Sequence, residues 1–291
     1  LCYVTMNPRH LLVREHIRAG ARAVVLEDGL NGQQIVLYDN GRHIPLLWTH
    51  LIPATMEGRA LHNVQNAMFA TAITLAMGIG LENIRQGLRT FTTDFFQTPG
   101  RMNFFNEHPF RVLLDYAHNA HGMRAMAQMI RELTVHGRRI GVVSAPGDRR
   151  DADIVELAQA AASAFDLILL REDDNRRGRE PGEIGKLLRQ GLLTAGVPPE
   201  RIAPGIYDEE EAVQRGLETA QPGDLLVIFG DKLERSWRQI ISFGRSEAPM
   251  GDVPVAPIFL SDDELPPPRS ILATGAPAQT PEDGRVGEHD D

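Results

Sequence analysis

Apolar positions along this chain fall into two regimes. Over the first hundred residues the runs are short and of mixed kind. "ARAVVLEDG" predicts a buried strand over 22–26. "GQQIVLYDNGRHIPLLW" predicts a β-hairpin, with Asn40-Gly41 as its tight turn because both residue types tolerate positive φ. Between 59 and 77, Leu61, Val64, Met68, Ala72 and Leu75 recur at helical spacing, and "LENIRQGLRTF" predicts a second, shorter helix. "FFQTPG" then reads as a linker, broken by Pro99-Gly100. Beyond it strands and helices alternate. Strands are predicted at 112–115, 140–145, 167–170 and 225–229, and helices near 122–133, 153–164, 182–195, 209–219 and 233–241. Continuous apolar strands separated by helices imply an α/β fold with a mainly parallel sheet covered on both faces. Such sheets bind ligands at the carboxyl ends of their strands.

Charge changes the picture at one end only. From Ser246 to Asp291 ten acids face two arginines, so this stretch holds −8 of the formal charge of −9. It also holds eight of the nineteen prolines and shows no periodicity, which predicts an acidic, disordered tail over 246–291. The remaining body is near neutral and offers no basic footprint for nucleic acid. The single cysteine, Cys2, forms no internal disulfide and no Cys-based metal site, which favours a reducing, cytoplasmic location. No apolar run approaches the ~18 residues of a membrane span, and the charged N-terminus does not read as a signal peptide.

Candidate chemistry concentrates in "FRVLLDYAHNAHGM". An apolar strand runs into Asp115, Tyr116, His118, Asn119 and His121 before a helix begins. A helix cap requires one such residue, and Asn119 would serve. The others need another reason, and they fall where a parallel sheet presents its strand ends. Two further stretches carry weaker signals. In "LHNVQNAMFA", His62, Asn63 and Asn66 share a helix's first turn, and an amide side chain suits the donor–acceptor edge of an adenine ring. In "TPGRMNFF", Arg101 follows the linker directly. Each of the two alone reads equally as core packing or solvated surface.

Common nucleotide and hydrolase signatures are missing from the 291 residues. There is no G-x-x-x-x-G-K-[ST] loop, no G-x-G-x-x-G after a predicted strand and no G-x-S-x-G elbow. His108, His118 and His121 lack the spacing of a zinc site, so no metal ligands are expected.

Taken together, "HNVQNA", "PGR", "LLDYAHNAHG" and "APGDRRD", in that order and spacing, resemble the Mur ligase family. That family includes the peptidoglycan amino-acid ligases, folylpolyglutamate synthetase and the C-terminal half of cyanophycin synthetase. Whole phrases, among them "LVREHIRAG", "IPLLWTHLIPAT" and "REDDNRRGR", are most similar to the last of these, and the resemblance covers residues 1 to 244.

The resemblance implies the C-terminal part of an ATP-binding central domain over 1–98, a Rossmann-like C-terminal domain over 99–245, and a tail. It implies ATP and Mg²⁺ as cofactors. His62, Asn63 and Asn66 would hold adenine, Asp115 would take the ribose hydroxyls, and Arg101 and His118 would face the phosphates as catalytic groups. The loops "GDRRD" and "REDDNRRGR" would meet the acceptor substrate through Asp148, Arg149, Arg171, Asp173 and Asp174, with a solvated charge cluster as the lesser alternative. The implied reaction joins arginine to the side-chain carboxylates of poly-aspartate (cyanophycin) through an acyl phosphate. A homo-oligomer is compatible with it, and neither nucleic acid nor membrane is involved. Where the family has a P-loop upstream in the central domain, this sequence shows none, so a fragment without turnover is expected. A non-catalytic nucleotide- or partner-binding remnant and a peptidoglycan- or folate-type ligase stay open as alternatives.

Overall fold

The computed structural model describes residues 1–205 and 207–244. The tail expected over 246–291 lies outside the described residues.

Two sheets organise the described chain. The first contains β1 (Cys2–Thr5), β2 (Arg22–Gly29), β3 (Gly32–Asp39) and β4 (Arg42–Trp48) in sequential order. Strand β1 runs parallel to β2, joined to it across α1 (Leu11–Arg18), and the other pairs are antiparallel. The Asn40-Gly41 turn has φ of 49° and 73° at its two residues, the positive pair that a two-residue hairpin of this twist requires. Residues Ala23 to Leu26 are all buried because both faces of β2 are covered. Val13 of α1 packs with Ala23 and Val25 on one face. On the other, Val24, Leu26, Ile35 and Leu37 meet α2 (Leu61–Ala76) through Val64 and Met68, and α3 (Leu81–Thr90) through Ile84. Each such aliphatic side chain contributes about 1.5–3 kcal/mol when fully buried.

The second sheet contains β5 (Asn103–Phe105), β6 (Arg111–Asp115), β7 (Arg139–Val143), β8 (Leu167–Leu170) and β9 (Leu225–Phe229), in the order β5-β6-β9-β7-β8. All pairs are parallel except β5 with β6. Helices α4 (Ala120–Glu132), α5 (Asp151–Ala161) and α6 (Glu183–Thr194) cover one face, with Met123, Ile130, Leu157 and Leu188 in its core. Helices α7 (Glu209–Thr219) and α8 (Leu233–Ser242) cover the other through Val213, Leu217 and Ile240. The mainly parallel α/β sheet is as the alternation predicts.

Some elements differ from expectation. Strand β1, helix α1 and strand β5 have no predicted counterpart, and each has a local reason. Strand β1 is four half-buried residues, α1 buries only Val13, and β5 is three residues on an antiparallel edge. Helix α4 starts at Ala120, two residues earlier than its apolar pattern, because Asn119 caps it by accepting from the Gly122 N–H at 2.8 Å. Strand β7 ends at Val143, two residues short of its apolar run.

Candidate functional site

The carboxyl end of β6 opens into a cleft of ≈ 760 Å³. One side of α2 from His62 to Thr74 and α3 form one wall, the 115–122 turn with the start of α4 forms the other, and the segment crossing between the sheets closes an edge. His62, Asn63, Asn66, Arg101, Asp115 and His118 all line this one cleft, although up to 56 positions separate them in sequence.

Asp115 sits at the centre with 6% of its surface exposed. Its Oδ1 accepts from the Ala117 N–H at 2.8 Å and its Oδ2 from the Met102 N–H at 3.0 Å. Burial pushes its pKa up from the ordinary carboxylate value, while the two backbone donors and Arg101 pull the other way. Asp115 is therefore no helix cap. It ties the crossing segment to the 115–117 turn, and each oxygen keeps a lone pair for a further donor.

Met102 is the residue that sequence reasoning missed. It is 2% exposed and holds φ at 55°, a left-handed conformation that costs about 1–2 kcal/mol for a residue with a side chain. Its sulfur lies 3.1 Å from His62 Nε2 and 3.3 Å from Asn63 Nδ2. One methionine thus joins the N-terminus of α2 to the carboxylate at the end of β6. No local signal marks it, since a methionine beside an apolar run reads as core.

The two asparagines divide their tasks. Asn63 Nδ2 donates to the Ala54 carbonyl at 2.7 Å, which turns Asn63 Oδ1 toward Asn66 Nδ2 at 3.1 Å. The Asn66 amide is exposed at the cleft, with its carbonyl oxygen directed away from Asn63. His62 Nδ1 is buried without a hydrogen-bond partner, and burial lowers the imidazole pKa. Arg101 lies over the Tyr116 ring, 5.8 Å from its centroid. His118 Nδ1 faces the Tyr116 carbonyl at 3.0 Å, so that nitrogen carries the proton and Nε2 is the acceptor in the neutral ring.

A smaller pocket of ≈ 20 Å³ adjoins the cleft and shares Ala117 and His118 with it. Arg171 and Asp173 line this pocket, beside Ser144 and Asp231. Arg171 is 2% exposed, and its guanidinium is committed on every side. Nε and Nη2 donate to the Phe229 carbonyl at 3.0 and 2.7 Å, and Nη1 lies 2.8 Å from Asp173 and 3.2 Å from Glu209. Arg171 accordingly fixes the ends of β8 and β9, with each of its three side-chain nitrogens bonded within the protein. Asp173 also accepts from Ser144 Oγ at 3.1 Å, and burial raises its pKa against the pull of Arg171. Asp148, Arg149 and Asp174 line neither pocket. Asp148 pairs with Arg177 and Asp174 with Arg235, both at 2.8 Å, and the Arg149 carbonyl accepts from Arg179.

Glu209, also absent from the sequence reading, is completely buried. Its carboxylate accepts from the Asp231 and Lys232 N–H groups and from Ser236 Oγ, besides pairing with Arg171. Among the described residues no group of three or more His, Cys, Asp or Glu is arranged to hold a metal ion. No helix among them is long and apolar enough to cross a membrane.

Residues 100–232 match the family model described as Mur ligase, glutamate ligase domain. Cyanophycin synthetase of Trichormus variabilis is 41% identical over 246 residues, 82% of this chain and 26% of that protein. Its Synechocystis counterpart is 39% identical over 236 residues, with 81% and 26% covered. The chain spans about a quarter of the length of these curated relatives. Among solved structures, E. coli FolC in complex with DHPP and ADP aligns with a TM-score of 0.55 at 20% identity, over 84% of this chain and 54% of that one, a likeness of fold. That domain model spans the second sheet from β5 to β9, so residues 100–232 of the chain belong to the Mur ligase, glutamate ligase domain family.

Proposed function

We propose that this chain is the nucleotide-facing part of an ATP-dependent amide ligase similar to cyanophycin synthetase, with 1–98 as part of its central domain and 99–245 as its C-terminal domain. The convergence of His62, Asn63, Asn66, Arg101, Asp115 and His118 on one cleft carries this reading. The donor set suits a nucleotide. Asn66 offers a carbonyl oxygen to the 6-amino group of adenine, and Asp115 offers its remaining lone pairs to two adjacent ribose hydroxyls. Arg101 brings a guanidinium to the phosphate side, and His118 brings Nε2 from the turn beyond.

In the reaction proposed, an aspartate carboxylate of the polymer takes the γ-phosphoryl group of ATP to give an acyl phosphate and ADP. The α-amine of arginine then attacks the acyl carbon, phosphate leaves, and the nitrogen loses a proton. The chain's own contribution is positioning and charge stabilisation. The described residues contain no three-ligand cluster for Mg²⁺. The ion would screen the phosphates, and no step is assigned to it.

Binding of a fluorescent ADP analogue to the purified chain, competed by unlabelled ADP, tests the proposal. Micromolar binding that weakens in Asn66→Leu supports it. A folded chain with no competable binding rejects it. One observation favours a second reading, binding without turnover: the 291 residues hold no G-x-x-x-x-G-K-[ST] loop. Nucleotide binding without arginine-dependent phosphate release from this polypeptide supports that reading.

A further inference from the structure

Asn103 is completely buried at the first position of β5, and its side chain turns back on the segment that crosses between the sheets. Oδ1 accepts from the Gly100 N–H at 2.6 Å. Nδ2 donates to the Thr93 and Thr98 carbonyls, each at 2.9 Å, with the Arg101 carbonyl at 3.4 Å. A single amide therefore satisfies groups on three residues, Thr93, Thr98 and Gly100, with the Arg101 carbonyl sharing one of its hydrogens at longer range. The loop so closed is tight. Gly100 has φ of 69°, and a Cβ there would stand 2.5 Å from Leu233 Cδ1. Thr93 Oγ1 adds a bond to the Met102 carbonyl at 3.2 Å.

The two residues held between this clasp and β5 are Arg101 and Met102. Met102 gives its N–H to Asp115, and Arg101 rests on Tyr116 at the cleft edge. Arg101 is exposed, with its guanidinium over the Tyr116 ring, so where it meets the cleft depends on the backbone that carries it.

We propose that Asn103 is a positioning residue for the nucleotide cleft: its amide closes the 93–101 segment on itself and so fixes Arg101 where a bound nucleotide meets it. This rests on the reading above that the cleft holds a nucleotide. Asn103 touches no ligand and acts through Arg101.

The experiment uses the full 291-residue chain and the variants Asn103→Ser, Arg101→Ala and their combination, each checked by thermal melting. ADP affinity is measured by competition, and trypsin cleavage of the Arg101–Met102 bond is followed by mass spectrometry. Asn103→Ser and Arg101→Ala each weaken ADP by about tenfold, the loss expected for a charged hydrogen bond. The double variant is no weaker than Arg101→Ala alone, because both changes remove one interaction. Cleavage after Arg101 accelerates in Asn103→Ser. Additive losses, or unchanged ADP affinity in a folded Asn103→Ser, overturn the proposal. So does an unchanged cleavage rate, whether or not ADP binds. A wild-type chain that fails to bind ADP rejects the functional reading instead, and the cleavage rates still decide the clasp. If Asn103→Ser does not fold, amide hydrogen exchange in the unaltered chain takes its place. The Gly100 N–H is then as protected as the β5 amides, and rapid exchange there overturns the clasp.

Discussion

Replacing Asp115 by asparagine alters two things that the structure allows to be separated. The carboxylate accepts one backbone N–H on each oxygen, from Ala117 and from Met102. An amide has a single oxygen, so whichever way the new side chain turns, its NH₂ faces one of these two donors. The site is 6% exposed, and of the two donors the Met102 N–H is the one buried away from water. A buried donor left unsatisfied costs about 1–3 kcal/mol. For a body of this size that corresponds to a melting temperature lowered by about 4–8 °C at the middle of the range. If Asp115 merely capped a helix, asparagine would be nearly silent, since the two cap equally well. The cap is Asn119.

The second effect is on the nucleotide. Losing a charged acceptor for the ribose hydroxyls removes about 1.5–3 kcal/mol, a tenfold to hundredfold weaker Kd for ADP. Melting by circular dichroism and ADP competition on the same preparation read both. A variant that melts with the wild type shows that the two N–H groups do not depend on the carboxylate, and the geometric argument fails. A variant that melts early but binds ADP as tightly as before shows that Asp115 is architecture, and the site assignment falls.

Other perturbations test the framework around it. Glu209→Gln leaves the buried Arg171 with one acid fewer and is expected to cost about 3 kcal/mol in urea unfolding; equal midpoints refute the network's role. Gly100→Ala forces a side chain into left-handed backbone against Leu233 and is expected to cost at least about 1–2 kcal/mol by the same measurement. The His62 pKa is depressed by burial below its ordinary 6.5, so its stabilising contribution is present above pH 6.5 and is lost as pH falls through the folded value. Urea unfolding at pH 7.5 and 5.5 should show a smaller acid loss in His62→Gln than in the wild type, and parallel losses contradict it. The purified 291-residue chain should release no arginine-dependent phosphate above background in a colorimetric assay, and robust release abolished by Arg101→Ala overturns that expectation.

The legible parts of the fold share a physical cause. The interiors of strands β6 to β9 are apolar because helices cover both faces, so each shows as an uninterrupted run. The Asn40-Gly41 turn is legible because few residue pairs accept two positive φ values. Strand β1 and strand β5 are stabilised by pairing with β2 and β6 rather than by their own pattern, and pairing partners are not written locally. The same distinction separates Asp115 from Met102 in the cleft. An acid at the end of an apolar strand contradicts its surroundings and draws notice. A methionine agrees with its surroundings, and its left-handed backbone leaves no trace in composition.

Two polar clusters in this sequence look alike and differ in kind. "LDYAHN" and "REDD" each follow a buried strand at the carboxyl edge of one sheet. In the second, the charges close on one another. Arg171 meets Asp173, Glu209 and the Phe229 carbonyl, Glu172 receives the Gly182 N–H, and Asp174 meets Arg235. Several of those partners lie some 38 to 61 positions away, so no local reading predicts that the cluster saturates itself. In the first, saturation stops short. Asp115 holds two N–H groups with lone pairs remaining, the Asn66 oxygen is directed away from Asn63, and His62 Nδ1 has no partner though buried. A buried polar atom without a partner, as His62 Nδ1 is, costs free energy in the folded chain, and the Asp115 lone pairs and the exposed Asn66 oxygen stand free beside it. Their gathering on one cleft is expected where a ligand supplies the missing partners, and that argues for a binding site at Asp115 and for scaffolding at Arg171.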